Sequence, residues 1–387
     1  MITKPLFILV LNGLSFIIAF KYRGNMRAQN LFLILLFSTG LFSEYKFETI
    51  LSDLDDAWSF EFLSEDKIIY TEMPGKLKIA DFSNGSTIDI KNVPKVQYSS
   101  QGGLSEVVLD PDFSSNRTLY LSYSARNADG KSTLYLMSAE LNEDSLENNK
   151  VIFEAQAPRR VPVHIGAKIA FLDDGTILLA SGDGFDHREK AQTLDNHFGK
   201  IIRINKDGTI PKDNPFVNVK DALPDIYSYG HRNMQGLIVT KNGQIYEHEH
   251  GPRGGDEMNL IEPPINYGWP AITYGIDYSG AVISPFTEKD GMQQPLLHWT
   301  PSIAPSDMIF YEGNKYPELN NSFLVTALVS KDVKKVTFSE SGKDIQESLF
   351  GSLNSRLRNI QASPSGLIYL LTDGPRGKLI KVLPEEL

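Results

Sequence analysis

The sequence predicts an all-β protein, a six-bladed β-propeller whose blades are four-stranded antiparallel sheets around a central channel. Three observations predict it. After residue 44, short runs of Ile, Leu, Val, Tyr and Phe alternate with clusters of Gly, Pro, Asn and Asp, and a helical period is scarce. A polar turn followed at once by a short apolar strand recurs six times. The copies stand about 45 to 80 residues apart, room for roughly four strands and their loops, which is one blade.

In chain order the copies are SEDKIIY from Ser64, SNRTLYL from Ser115, DDGTILL from Asp173, KNGQIY from Lys241, LNNSFLV from Leu319 and PSGLIYL from Pro364. Residues 45–51 are expected to supply a strand to the blade formed by the C-terminal segment, which closes the ring and removes exposed sheet edges. Polar groups follow the repeated strand in several copies: Glu72, Asp183, Glu249 with His250, and Thr372 with Asp373. Equivalent strand ends of a propeller lie on one face of the channel, so these loops are expected to converge on a single ligand.

Composition narrows the function classes. The 387 residues carry a net charge of -10, which argues against a nucleic-acid partner. There is no cysteine, so disulfides, thiolate metal sites and a cysteine nucleophile are excluded. Oxygen ligands would favour calcium or magnesium. His248 and His250 alternate on a strand with no third nitrogen nearby, which does not suit zinc.

Residues 1–43 hold two apolar runs, 5–20 and 31–42, each short for a membrane-spanning helix. The second run follows MRAQN and carries Ser38, Thr39 and Gly40 before Glu44, the pattern of a secretory signal. The preferred reading starts the chain at Met26 and the mature protein near Glu44, placing it in the periplasm or outside the cell. A membrane-tethered form using both runs is the runner-up. Residues 44–387 are read as one catalytic propeller domain.

The most informative stretch reads SYGHRNMQGL from Ser228, EHEHGPRGGDEMNLIEPPINYGWP from Glu247 and YGIDYSG from Tyr274. Further segments are QGGLSEVVLDPDFSSNRTLYLSY from Gln101, HIGAKIAF from His164, SGDGFD from Ser181, AQTLDNHFGKIIRINKDGTIPKDNPF from Ala191 and WTPSIAPSDMIFY from Trp299. With these segments in this order, the chain resembles the glucose/sorbosone dehydrogenase family, and within it the soluble aldose sugar dehydrogenases that use pyrroloquinoline quinone (PQQ). The resemblance extends over most of the chain after residue 44. It implies a quinoprotein oxidoreductase that oxidises the anomeric hydroxyl of an aldose to a lactone, with hydride passing to PQQ and then to an external electron acceptor. It requires no membrane partner and is compatible with a monomer or a homodimer.

The resemblance also assigns roles. His164 is the general base at the anomeric hydroxyl, work a neutral imidazole can do near neutral pH. Asp183 orients that base. Arg232 stabilises charge on the quinone oxygen, with Asn233 beside it. Arg356 and Arg358, two apart on a strand, face one way and suit the carboxylates of the cofactor. Gln101 supplies a polar contact. The carbonyls of Gly251 and Pro252 hold a calcium ion that grips the cofactor, and Glu257 with the Tyr267 carbonyl holds a second.

Each residue also has a plain structural counterpart: a hydrogen-bonded core histidine for His164, a turn aspartate for Asp183, a surface ion pair for Arg232, a solvated strand face for Arg356 and Arg358, and a Gly-rich turn for residues 251–255. His231 reads as structural. The chain departs from the family pattern His-x-Gly-Gly-Arg, having Ala167 and Lys168 at its last two places, and Val163 precedes the histidine. Two other functions stay open: a calcium-dependent propeller hydrolase of the lactonase kind, and a non-catalytic propeller that binds sugars or a protein.

Overall fold

The computed structural model describes residues 7–11, 14–18 and 45–384. Most of the segment expected to direct export, residues 1–43, lies outside them. Strands Phe7–Leu11 and Leu14–Ile18 pair with each other as an antiparallel hairpin. Residues 45–384 form six four-stranded antiparallel sheets, as the sequence predicts.

Each sheet starts at the channel and runs outward. Blade 1 comprises Ala57–Ser64, Lys67–Glu72, Lys76–Asp81 and Ser86–Asp89. Blade 2 comprises Leu104–Leu109, Thr118–Arg126, Ser132–Asn142 and Ser145–Glu154. Blade 3 is built from Gly166–Phe171, Ile177–Ser181, Lys200–Ile204 and Ile226–Tyr229. Blade 4 uses Met234–Val239, Ile245–Glu249, Asp256–Ile261 and Leu297–Trp299. Blade 5 uses Pro305–Tyr311, Ser322–Ala327, Val333–Phe338 and Asp344–Leu349. Blade 6 takes Leu357–Ala362, Ile368–Thr372 and Gly377–Leu383 from the C-terminus and Lys46–Leu54 from the other end of the propeller chain. Lys46–Leu54 pairs antiparallel with Gly377–Leu383, so the seam expected from residues 45–51 is present.

The six turn-and-strand copies have a common place: each supplies the second strand of its blade. These strands are buried on both faces, which is why they read as short continuous apolar runs rather than alternating ones. The core lies between blades. Among the described residues six apolar clusters occur, one at each junction of consecutive blades; Ile177, Leu179 and Ile202 of blade 3 pack with Leu134 and Leu136 of blade 2 in one of them.

Lys168, one of the departures noted in the sequence, occupies the ring of innermost strands. Its Nζ pairs with Glu106 of blade 2 and, at 2.8 Å, with Asp307 of blade 5. Asp307 also accepts from the Asn359 amide of blade 6. Burial disfavours the lysine's charge, but Asp307 and Glu106 more than offset it and keep the ammonium protonated. One side chain thus ties three blades, and a fourth through Asn359, beneath the face that carries the candidate site.

Candidate active site

His164 lies just before the innermost strand of blade 3. Its backbone is left-handed, with φ 44°, a conformation a β-carbon disfavours. Two other residues hold it there. The Gln101 side-chain carbonyl accepts from the His164 amide at 2.8 Å, and Arg159 Nη1 donates to the His164 carbonyl at 2.7 Å. Arg159 is among the largest fully buried side chains, and burial lowers it to about 10.

The imidazole Nδ1 lies 2.7 Å from Asp183 Oδ1. Asp183 follows the second strand of the same blade, and its carboxylate also accepts from Trp269 Nε1 at 2.7 Å and from the Phe185 amide at 2.9 Å. Burial opposes ionisation of Asp183, but its hydrogen bonds and the nearby His164 and Arg232 outweigh that and hold the carboxyl below its usual range. His164 moves the opposite way from a simple ion pair. Burial, together with the charges of Arg232 and Arg159, pushes it below the usual imidazole range against the pull of Asp183. A neutral ring with its Nδ1 proton on Asp183 leaves Nε2 as the basic nitrogen.

Arg232 enters from the loop before blade 4. Its Nη1 donates to the carbonyls of His250 and Gly251, both at 2.8 Å, and the guanidinium stands 5.1 Å from the centre of the Trp269 ring. Its buried Nε has no hydrogen-bond partner among the described residues. His164, Asp183, Arg232, Pro252, Trp269, Phe185 and Tyr278 line one cleft of about 390 Å³.

A second cleft of about 410 Å³ is lined by Gln101, Asn233, Gln235, His250, Arg356 and Arg358, with Ile165 and Gly166 from beside the histidine. Arg356 Nε and Arg358 Nη2 reach the same carboxylate, Asp373, at 2.8 and 2.6 Å. Two guanidinium groups against one carboxylate leave positive charge for an anionic ligand. That excess suits a carboxylated cofactor.

The loop at residues 251–255 packs so tightly that a β-carbon on Gly251 would fall 2.2 Å from the Gly255 carbonyl oxygen. Only glycine brings the backbone this close. The Gly251 carbonyl accepts from Arg232 and keeps a second lone pair, as a calcium ligand needs.

Glu257 and Tyr267 are not on either cleft. Glu257 faces Glu249 across blade 4, and the Tyr267 ring stacks on His231 at 4.7 Å. His231, read as structural from the sequence, also stands beside two buried acids. Ligand atoms of His231, Glu247 and Glu249 lie within 4.8 Å of one another, and all three side chains are buried. His231 Nδ1 and Glu247 Oε1 have no hydrogen-bond partner among the described residues. Buried acids with orphaned donor atoms fit a hard cation in this part of blade 4.

Known proteins resemble this chain in sequence and in fold. The sequence profile of the Glucose / Sorbosone dehydrogenase family matches residues 54–381. The chain belongs to the glucose/sorbosone dehydrogenase family. Within it, the chain is 35% identical over 346 residues to aldose sugar dehydrogenase YliI of Escherichia coli, covering 87% of this chain and 92% of that one. It is 27% identical to quinoprotein glucose dehydrogenase B of Acinetobacter calcoaceticus over 415 residues, covering 84% and 85% of the two chains. The structure of the soluble aldose sugar dehydrogenase of Escherichia coli in its apo form superposes with a TM-score of 0.85 at 32% identity, covering 88% of this chain and all of that one.

Several residues of the candidate site carry no signal in local sequence. Trp269 stands within the NYGWP segment, yet its bond to Asp183 joins positions 86 apart. Asp373 was visible only as a polar strand end. Arg159, Phe185 and Tyr278 give no sign of their place.

Proposed function

We propose that the protein oxidises the anomeric hydroxyl of aldose sugars to lactones as a PQQ-dependent dehydrogenase. The observation that carries this reading is the neutral, buried His164 locked by Asp183 beside a cleft walled by Arg232. His164 Nε2 takes the hydroxyl proton, and the C1–H bond breaks as the C1–O bond becomes a carbonyl. Asp183 keeps Nδ1 protonated and steadies the imidazolium that forms. Arg232 sets a fixed positive charge where the two clefts adjoin, and Trp269 shields it from water on one side.

PQQ, when bound, supplies an electrophilic quinone carbonyl that accepts the hydride. Arg356, Arg358, Asn233 and Gln101 would hold it, with a calcium ion on the Gly251 and Pro252 carbonyls. A second calcium would sit among Glu257, the Tyr267 carbonyl and the His231, Glu247 and Glu249 cluster. Membership of the family and the quinoprotein relative support the cofactor reading. Export to the periplasm or beyond remains part of the proposal.

Reconstitution tests it. Protein loaded with calcium and PQQ is expected to reduce an artificial dye when given aldoses, and to do nothing without the quinone. Opening of lactones without quinone, and no dye reduction with it, would replace the dehydrogenase reading with a hydrolase.

A further inference from the structure

Two large aromatic side chains stand exposed side by side next to the base. Phe185 is 47% exposed and Tyr278 is 58% exposed. Phe185 has φ 64°, left-handed backbone that costs an aromatic residue stability. The Asp183 carboxylate that orients His164 also fixes the Phe185 amide, so the base and this ring are set by one group. The Phe185 ring meets the His164 ring edge to face at 5.1 Å and 84°. Tyr278 comes from a different blade, in the loop between Asp256–Ile261 and Leu297–Trp299. Its ring lies 24° from parallel to Phe185 with centroids 6.3 Å apart, and its hydroxyl is 3.5 Å from Arg232 Nη2.

The pair is therefore a stepped apolar surface that begins at the base and leads outward. Its rim is polar and charged: Arg188 bonds Asp277 at 3.3 Å, and Asp186 and Glu189 line the same cleft. Flat aromatic faces bordered by carboxylates and a guanidinium suit a pyranose, which has apolar C–H faces and hydroxyl edges. An aldose reacts at the ring that carries the free anomeric hydroxyl. A ring placed with that hydroxyl at His164 would meet Phe185 first, with Tyr278 a step beyond it.

We propose that Phe185 and Tyr278 form a stacking rail for a glycan longer than one sugar, with the reducing-end ring against Phe185 and the next ring against Tyr278. This rests on the dehydrogenase reading above. It assigns Tyr278 as a determinant of substrate length rather than a group in the chemistry.

The test uses the full chain loaded with calcium and PQQ. Wild type, Tyr278→Ala and Tyr278→Phe are compared on an aldohexose and on its 1,4-linked di- and trisaccharides. Tyr278→Ala is expected to lower the ratio of kcat/KM for disaccharide over monosaccharide about tenfold, through KM rather than kcat, and Tyr278→Phe to restore it. A ratio unchanged by Tyr278→Ala overturns the rail. Binding of the methyl glycoside of the trisaccharide, which has no oxidisable anomeric hydroxyl, is followed by calorimetry on the same proteins. Binding about tenfold weaker in Tyr278→Ala supports the rail even if wild type oxidises no aldose, a result that would sink only the dehydrogenase reading. Equal binding by wild type and Tyr278→Ala, or none by either, counts against the rail whatever the turnover.

Discussion

His164 Nδ1 and Asp183 Oδ1 are 2.7 Å apart, and the two residues are only 5% and 1% exposed. Burial and two arginines hold the ring below the usual imidazole range, so it is a base before substrate arrives. The sign follows directly. Activity needs the deprotonated ring, so the acid limb of kcat/KM is expected below the ordinary histidine value of 6.5, with none near neutrality from this group. His164→Ala is expected to abolish turnover while the quinone still binds in an equilibrium titration. Sugar oxidation retained by that variant would refute the base assignment.

Asp183→Asn separates orientation from charge. The aspartate is the main group pulling the His164 pKa upward, so its loss is expected to move the acid limb lower still. The amide also ceases to fix the tautomer, and kcat is expected to fall by about 10² to 10⁴. A pH–rate profile checks both; a lower kcat with an unmoved acid limb would mean that Asp183 acts by packing alone.

Ala167 occupies left-handed backbone at φ 82°, where the family pattern has glycine. Ala167→Gly relieves a β-carbon that the conformation does not favour and is expected to stabilise the fold by about 0.5–1 kcal/mol. Urea unfolding measures this. A loss of stability would show that the alanine methyl's packing outweighs the strain.

Glu61 and Glu106 both face the Lys168 network, and their carboxyls are raised. Burial followed by repulsion from Glu106 pushes Glu61 to about 8; burial, opposed by Lys168, pushes Glu106 to about 7. A raised acid stabilises the fold below its unfolded value of 4.5, and that stability is lost as pH rises through the folded value. The thermal midpoint is therefore expected to fall between about pH 5 and 8, and Glu61→Gln to flatten the upper part of that fall. A midpoint in Glu61→Gln that tracks wild type across this range would remove Glu61 as its cause.

His231, Glu247 and Glu249 make a metal test possible without turnover. Calcium at about a hundred times its dissociation constant is expected to stabilise the protein by about 2.7 kcal/mol, and a chelator to reverse the gain. Glu247→Gln is expected to remove most of the increment. Equal calcium-induced shifts in wild type and Glu247→Gln would move the ion elsewhere.

The fold was legible because the second strand of every blade is buried on both faces and follows a polar turn. The signal of such strands is local, as in Ile177–Ser181 and Ser322–Ala327. The first and fourth strands were harder to see. Ser86–Asp89 is exposed along its length, and Ile88 is its single apolar residue. Arg356 and Arg358 were visible as a pair, but their tie to Asp373 depends on pairing across the blade. The cluster around His231 was hidden for a similar reason. Glu247 and Glu249 share a face only because the strand places them there, and His231 arrives from another loop.

Because Lys46–Leu54 completes the sheet begun by Leu357–Ala362, the ring has no finished form until the last strand has been made. During synthesis the first strand of the propeller must wait, its hydrogen bonds to Gly377–Leu383 unmet, while some 320 residues emerge after it. Loss of a few residues from either side of that seam should thus have the same effect, and a nascent chain halted before Gly377 would be a substrate for chaperones rather than a smaller working enzyme.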